Sequence, residues 1–236
     1  AQPINIMENP DIAPNAARCR FRRIVVKVGS NVLTRADGTL DTDRMAALAD
    51  QIAALHRAGV EVIVVSSGAV AAGRGVIAAG HRLDARQLYS AVGQVKLIRR
   101  YYELFDARGI VCGQVLTTKQ DFETRRHYLN QRNSIRVMLE NGVVPIVNEN
   151  DTVAVTELMF TDNDELSGLL STMIGAEALV LLTNVDGICN GMPGAPGVEV
   201  IREIAPGQRD LPDCIRDAKS SFGRGGMPTK SRIARK

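Results

Sequence analysis

Five short apolar runs alternate along the chain with longer segments in which apolar residues recur every three or four positions. Continuous apolar runs are typical of strands that are covered on both faces of a parallel sheet. We therefore predict five buried strands: RIVVKV (23–28), VEVIVVSS (60–67), IVCGQVL (110–116), VVPIVN (143–148) and ALVLLT (178–183).

The longer segments predict four helices. The first begins with Asp41 or Thr42 as its N-cap and ends at Gly59, and the third and fourth cover about 125–141 and 163–174. The second covers about 84–107, and the apolar residues that we expect on its buried stripe are Leu88, Val92, Val95, Ile98, Tyr102 and Phe105. Strands that alternate with helices predict an α/β three-layer sandwich, an open and mainly parallel sheet with helices on both faces.

Composition and charge narrow the class of protein. The 236 residues are 45% hydrophobic but only 4% aromatic, which predicts one domain with an aliphatic core over residues 21–236. Residues 1–20 contain two acidic residues and no signal-peptide-like apolar stretch, so we expect a flexible extension. A net charge of +3 with scattered arginines does not indicate nucleic-acid binding, and no apolar run approaches membrane-spanning length.

The numbers and spacing of cysteine and histidine residues argue against disulfides, a zinc site and a histidine-based catalytic triad. The four cysteines form no CxxC pair, so we expect free thiols and a cytoplasmic location: Cys19, Cys112, Cys189 and Cys214. The three histidines are far apart, with two on predicted helices, which argues against a zinc site or a histidine-based triad: His56, His81 and His127. Four arginines of the third helix are interpreted as a solvated face, with an oligomer contact as the alternative: Arg125, Arg126, Arg132 and Arg136.

Polar or glycine-rich segments follow four of the predicted strands, where parallel sheets bind ligands. They are KVGSN, SSGAVAAG, NEND and TNVDG. Lys27 is costly inside an apolar strand unless its charge is paired, and it is either a lysine that extends to water or a phosphate ligand beside Gly29. The SSGA turn is either part of a site or an ordinary helix cap.

Residues 148–168 hold six carboxylates and no lysine or arginine, so this segment needs a compensating partner. Its DNDELSG sequence has Leu166 where an EF-hand needs an oxygen ligand, which argues against calcium. Near the end of the chain, GRGGMPTK (223–230) is basic and glycine-rich. It matches neither a Walker A loop nor GxGxxG, so a nucleotide would be bound in another way.

Six motifs in order carry a family resemblance: KVGSNVL, VSSGAVAAG, VPIVNENDTV, TDNDELS, LLTNVDG and GRGGMPTK. Over residues 23–236 the chain resembles the glutamate 5-kinase branch of the amino acid kinase family. The single glycine of KVGS differs from the KxGG of acetylglutamate kinases and aspartokinases, and NEND followed by DND is a mark of the glutamate 5-kinases.

The resemblance implies ATP-dependent phosphorylation of the γ-carboxylate of L-glutamate, the first step of proline biosynthesis. It further implies Mg²⁺ as a cofactor, proline as feedback inhibitor, a homo-oligomer, and a glutamyl phosphate reductase that receives the product. Lys27, Lys230 and Asp164 match the catalytic positions, and Ser67, Asp151 and Asn163 match the glutamate-binding ones. The ATP-binding positions are matched by Lys27, Thr183, Asn184, Arg224, Gly225, Gly226, Met227, Pro228, Thr229 and Lys230.

The implied chemistry agrees with the residue types. A glutamate side chain, with a pKa of about 4.3, is already ionised at neutral pH, so no general base is needed. The barrier is the approach of one anion to another, and an ammonium group at 4 Å offsets about 4 kcal/mol at an effective dielectric constant near 20. Magnesium is expected to be held mostly by ATP oxygens and water, with few protein ligands.

Two departures from the pattern affect the nucleotide site. Arg224 and Asn184 stand where many relatives have threonine and aspartate, which leaves the adenine and ribose contacts undefined. The chain ends at Lys236, just inside an expected helix, so we expect either a truncated domain or an incomplete nucleotide site, without the RNA-binding-like PUA domain of many bacterial members.

Two alternatives stay open. The first is a sister kinase for acetylglutamate or aspartate. Asp151 suits a free ammonium group, which an acetylated substrate lacks. The second is a silent metabolite sensor. AVTELMF (154–160) is expected to form a mobile flap over glutamate.

Overall fold

A computed structural model describes residues 19–35, 37–77, 83–153, 160, 162–184, 187–191 and 195–205. All five predicted strands are confirmed, with ends that shift by one or two residues. They are β1 (Arg23–Val28), β2 (Glu61–Ser66), β3 (Cys112–Thr117), β4 (Val144–Glu149) and β5 (Ala178–Leu182). The predicted extension at residues 1–20 lies almost wholly outside the described residues.

The four predicted helices are also confirmed, and three short helices occur that the sequence did not predict. The long helices are α2 (Thr42–Arg57), α4 (Leu83–Asp106), α6 (Arg125–Glu140) and α7 (Asn163–Ile174). The short ones are α1 (Ser30–Leu33), α3 (Ala69–Arg74) and α5 (Gln120–Glu123). Asp41 caps α2 as predicted, because its side chain accepts a hydrogen bond from the backbone amide of Arg44.

The strands form one sheet in the order β3-β4-β2-β1-β5, and every pairing in it is parallel. In β1, Lys27 lies opposite Val65 of β2 on one side and Leu181 of β5 on the other. The carboxyl ends of β4, β2, β1 and β5 are therefore neighbours along one edge. This edge brings together the polar segments that follow those strands.

Alternate strand residues face opposite sides of the sheet, which gives two cores. On one side, residues such as Val26 and Val64 pack against α2 and α4. On the other, Val25, Val65 and Val147 pack against α6 and α7. The two cores confirm the predicted three-layer sandwich.

The predicted buried stripe of α4 is wrong. Leu88, Val95 and Tyr102 are exposed, Val92 and Ile98 are half-buried, and only Phe105 of the predicted stripe is buried. The helix is rotated relative to that prediction, and its buried face is formed by Ala85, Tyr89, Ser90, Gly93, Gln94, Leu97, Tyr101 and Phe105. Because this face includes glycine and polar residues, a search for recurring hydrophobic residues does not identify it as the buried face.

The prediction of full burial holds for three strands and fails for the two at the sheet edges. β1, β2 and β4 are buried along almost their whole length, whereas β3 and β5 are half-exposed.

None of the helices in the described part of the chain is long and apolar enough to cross a membrane. Three cysteines within the described residues form no disulfide, and Cys214 lies outside them: Cys19, Cys112 and Cys189.

Candidate active site

Lys27 and Asp164 form a buried ion pair at the carboxyl edge of the sheet. The Nζ atom of Lys27 lies 2.6 Å from Oδ1 of Asp164, and the two side chains are 7% and 1% exposed. Lys27 shares the sheet face of Val25, which is the side covered by α7, and Asp164 lies in the first turn of that helix. The alternative that Lys27 extends to water is therefore wrong.

The first turn of α7 favours negative charge. Asp162 is the N-cap, and its side chain accepts a hydrogen bond from the backbone amide of Glu165 at 2.9 Å. The positive end of the helix dipole and the unpaired first amides both stabilise carboxylates at this position. The hydroxyl of Ser167 donates to the backbone oxygen of Asp164 one turn later. Asp164 therefore has a fixed backbone as well as a fixed partner.

Asn163 connects the ends of three elements through one amide group. Its Nδ2 atom lies 2.6 Å from the backbone oxygen of Ser66, 2.9 Å from Oγ of Ser67 and 3.0 Å from Oδ1 of Asn148. Because Ser67 accepts a hydrogen bond there, its own hydroxyl hydrogen can be donated elsewhere. Two predicted glutamate-binding residues, Ser67 and Asn163, are thus in direct contact.

The residue before Ser67 is held from the other side of the sheet. Ser66 is fully buried, and its hydroxyl lies 3.0 Å from the phenolic oxygen of Tyr101 on α4. Burial raises the pKa of Tyr101, so this phenol stays neutral at physiological pH. The Ser66–Ser67 turn is therefore fixed by α4 on one face and by α7 on the other.

The end of β4 is also held from both faces. Asn148 donates to Oε1 of Gln94 on α4 at 2.9 Å. The next residue points the other way, and the buried Glu149 accepts a hydrogen bond from the backbone amide of Phe160 at 2.9 Å. Neither Gln94 nor Glu149 was among the predicted site residues, although Glu149 belongs to the NEND segment that the sequence analysis singled out.

Asp151 is paired with Arg86, an arginine that the sequence analysis did not single out. Nη2 and Nε of Arg86 lie 2.6 Å and 3.2 Å from Oδ1 of Asp151. Beside this pair, Nε2 of Gln87 donates to the backbone oxygen of Thr152 at 2.9 Å. The carboxylates of this segment are thus matched by a cation from α4 as well as by Lys27.

The backbone at Gly29 lies directly over Lys27. A Cβ atom at position 29 would be 3.5 Å from Nζ of Lys27 and 3.9 Å from the backbone oxygen of Leu182. Thr183 and Asn184 follow Leu182 at the end of β5, so the predicted nucleotide positions on this strand neighbour the lysine. The absence of a side chain at Gly29 leaves space above the ammonium group.

The predicted nucleotide loop, Arg224 to Lys230, lies outside the described residues. Residues 154–159 of the predicted flap lie outside them as well. Within the described ranges, no three His, Cys, Asp or Glu side chains cluster closely enough to hold a metal ion. The four arginines of α6 are exposed in the single chain, which agrees with a solvated face and equally with an oligomer contact. His56 and His127 lie on helices: α2 and α6, respectively.

Comparison with known proteins gives consistent matches. The sequence profile of the Amino acid kinase family matches residues 22–236. Over 92% of its length, the chain is 65% identical to glutamate 5-kinase of Bacteroides thetaiotaomicron and 51% identical to glutamate 5-kinase of Chlorobaculum tepidum. It is 42% identical over 89% of its length to glutamate 5-kinase 2 of Bacillus subtilis. The chain spans 61%, 60% and 58% of the length of these three relatives.

The profile match covers the sheet, both helical layers and every site residue described above. The all-parallel sheet with helices on both faces agrees with the fold of this family. The chain therefore belongs to the amino acid kinase family.

Proposed function

We propose that the protein is a glutamate 5-kinase, which transfers the γ-phosphoryl group of ATP to the γ-carboxylate of L-glutamate. The observation that carries this proposal is the buried Lys27–Asp164 pair, next to the Ser67–Asn163 contact at the carboxyl edge of the sheet. The glutamate 5-kinases that share 65% and 51% identity with the chain support the choice of substrate.

The reaction joins two anions without an acid or base. An oxygen of the ionised γ-carboxylate forms a bond to the γ-phosphorus as the bond from that phosphorus to the bridging oxygen breaks, which releases ADP. Negative charge accumulates on the transferring group, so a nearby ammonium lowers the barrier. Lys27 supplies it, and Asp164 keeps the side chain charged and correctly placed within an apolar strand.

Glutamate would lie at the carboxyl ends of β2 and β4. Ser67 is a neutral donor suited to its carboxylates, Asn163 orients that hydroxyl by donating to its oxygen, and Asp151 is the anionic group suited to its ammonium. A substrate with an acetylated nitrogen lacks that ammonium and could not use Asp151 in this way. This charge requirement favours glutamate over acetylglutamate.

The nucleotide would lie near β5. Thr183 and Asn184 follow that strand, and the backbone at Gly29 leaves room for phosphate above Lys27. We propose that Lys230 and the 224–230 loop complete this site. Magnesium would then be held mainly by phosphate oxygens and water, and it would neutralise the phosphates during transfer.

The direct test is formation of γ-glutamyl hydroxamate by the full-length protein with ATP, Mg²⁺, glutamate and hydroxylamine. We expect Lys27→Ala to lose at least about a hundredfold in rate, because one oriented charge contributes that much to stabilisation of a transition state. Lys96→Ala is the matched control, since Lys96 is exposed on α4. Unchanged hydroxamate formation in Lys27→Ala would refute the proposal.

Two further assays separate the alternatives. Aspartate and acetylglutamate, added in turn, should yield less ADP than glutamate at equal concentration, and a reversal would assign a sister kinase. A silent sensor would bind glutamate in calorimetry without releasing ADP in a coupled assay.

Regulation and assembly complete the proposal. We expect proline to inhibit hydroxamate formation, the product to pass to a glutamyl phosphate reductase, and the enzyme to act in the cytoplasm. We also propose a homo-oligomer, because α4 exposes three apolar residues at seven-residue spacing: Leu88, Val95 and Tyr102.

A further inference from the structure

Arg86 holds the Asp151 carboxylate from one side. Both of its hydrogen bonds, at 2.6 Å and 3.2 Å, go to the same oxygen, Oδ1, so the planar guanidinium contacts one edge of the carboxylate. The Asp151 side chain is 8% exposed, whereas the Arg86 side chain is 32% exposed. The arginine thus reaches a buried acid from the rim of the site.

The loop that carries Asp151 has other anchors. The backbone amide of Asn150 donates to the backbone oxygen of Thr117 at 2.7 Å, and Gln87 donates to the backbone oxygen of Thr152. Loss of Arg86 would therefore remove both of these hydrogen bonds from Oδ1 of Asp151 while the backbone on either side of it stays in place.

We propose that Arg86 is a positioning residue for the substrate ammonium: it fixes Oδ1 of Asp151 and, with it, the orientation of the carboxylate toward glutamate. This inference rests on the proposed function, in which Asp151 receives that ammonium. It assigns a role in the kinase reaction to a residue of α4 that lies outside every motif of the family resemblance.

The chemistry explains why the residue is an arginine. A free aspartate side chain rotates about two bonds, and each rotation moves its charge relative to a bound ammonium. The two fixed donors of a guanidinium restrict that rotation, which a single lysine ammonium does only in part. Arg86 also compensates the charge of the buried Asp151 before substrate binds.

The test is steady-state kinetics of Arg86→Met in the full-length protein, with glutamate and ATP varied separately. We expect the KM for glutamate to rise about tenfold, with kcat and the KM for ATP changed less than about threefold. Arg86→Lys should recover part of the loss. If the Met variant does not fold, judged by its melting temperature, Arg86→Gln replaces it with the same expectations.

Arg99→Met is the matched control. Arg99 lies on the same helix and pairs with a carboxylate at a similar distance, 2.7 Å to Glu103, but its side chain is 78% exposed. We expect its kinetic constants to equal those of the wild type. A merely structural role of Arg86 would lower the melting temperature and the active fraction, hence kcat, and would leave the KM for glutamate unchanged; that result overturns the inference.

A double variant tests whether Arg86 acts through Asp151. In an Asp151→Asn background, Arg86→Met should change the KM for glutamate by less than about twofold, because the group it positions has already lost its charge. The full tenfold factor in that background would mean that Arg86 contacts the substrate directly, and the inference would be wrong. If the wild type forms no γ-glutamyl phosphate, it is the proposed function that fails.

Discussion

Four buried carboxylates lie at the carboxyl edge of the sheet among the described residues: two pair with a cation and two accept a backbone amide. Asp164 pairs with Lys27 and Asp151 with Arg86, whereas Asp162 caps α7 and Glu149 accepts the backbone amide of Phe160. A buried charge without such a partner would cost several kcal/mol. The pairing explains how a segment rich in carboxylates folds beside an apolar sheet.

At the residue scale, Gly29→Ala separates catalysis from stability. The backbone at Gly29, with φ −72° and ψ 157°, suits any residue, and the added methyl group would make only ordinary contacts. That methyl would nevertheless lie 3.5 Å from the Lys27 ammonium, where the phosphoryl group is proposed to bind. We expect the rate of hydroxamate formation to fall about a hundredfold, with the free energy of unfolding changed by less than about 0.5 kcal/mol.

Gly75→Ala is the control for this change. Gly75 also has a negative φ, and its added Cβ would meet only backbone oxygens at 3.8 Å and 3.9 Å, away from Lys27. Normal activity in Gly29→Ala would mean that the space above the ammonium is not used by phosphate.

Part of the site could be predicted from sequence and part could not. Lys27 lies near the end of a strand, Ser67 follows a strand and Asp164 is in the first turn of a helix. Parallel sheets bind ligands at such positions, and the sequence motifs marked all three residues. Arg86 and Gln94 contact the same edge from the first half of α4, across a layer of the sandwich. Nothing in a linear pattern relates these two residues to NEND, because the relation depends on how α4 crosses the sheet.

At the scale of elements, α3 and α4 cross with their backbones in close contact. A Cβ atom at Gly93 would lie 1.7 Å from the backbone oxygen of Ala69, and one at Gly73 would lie 1.9 Å from the backbone oxygen of Tyr89. Both glycines are therefore required by the crossing. The crossing fixes the position of α3, and therefore also the position of the Ser67 turn that precedes α3.

We accordingly expect Gly93→Ala to destabilise the protein. Helix propensity alone would stabilise it by about 1 kcal/mol, but the clash is with backbone that cannot move aside, and overpacking typically costs about 1–3 kcal/mol. Denaturant unfolding should show the net loss, and the KM for glutamate should rise as the Ser67 turn shifts.

Ala91→Gly calibrates the propensity term, since Ala91 is exposed on the same helix. A stabilised Gly93→Ala variant with normal kinetics would show that α3 and α4 do not cross this closely.

The length of each element and the residue types on its buried face explain which elements the sequence predicted. The five strands followed from continuous apolar runs, and the four long helices followed from hydrophobic periodicity, which is reliable over several turns. The short helices α1, α3 and α5 span four to six residues, too few to show a helical period. The buried stripe of α4 was missed because Gly93 and Gln94 occupy positions that a hydrophobic pattern reads as exposed.

At the scale of the whole molecule, α4 and β3 leave one apolar surface uncovered in the single chain. Leu88, Val95 and Tyr102 are 43%, 65% and 58% exposed on α4, and Leu116 of the adjacent edge strand is 39% exposed. Leu116 lies opposite Asn148 in the register, hence on the face of the sheet that α4 covers. The helix and the strand therefore present their apolar residues on the same side of the molecule.

We expect a second copy of the chain to cover this surface. A two-fold interface of ordinary size buries about 800 Å² on each partner, which one face of a long helix and a neighbouring strand can provide. Val95→Lys would place an unpaired charge in that interface. Because such a charge costs about 3–5 kcal/mol, the dissociation constant should rise at least a hundredfold, as measured by light scattering with size-exclusion chromatography. Val137→Lys is the same substitution at an exposed position of α6, and it should leave the mass unchanged. A monomeric wild type, or an unchanged mass for Val95→Lys, would show that the α4 surface is not the contact.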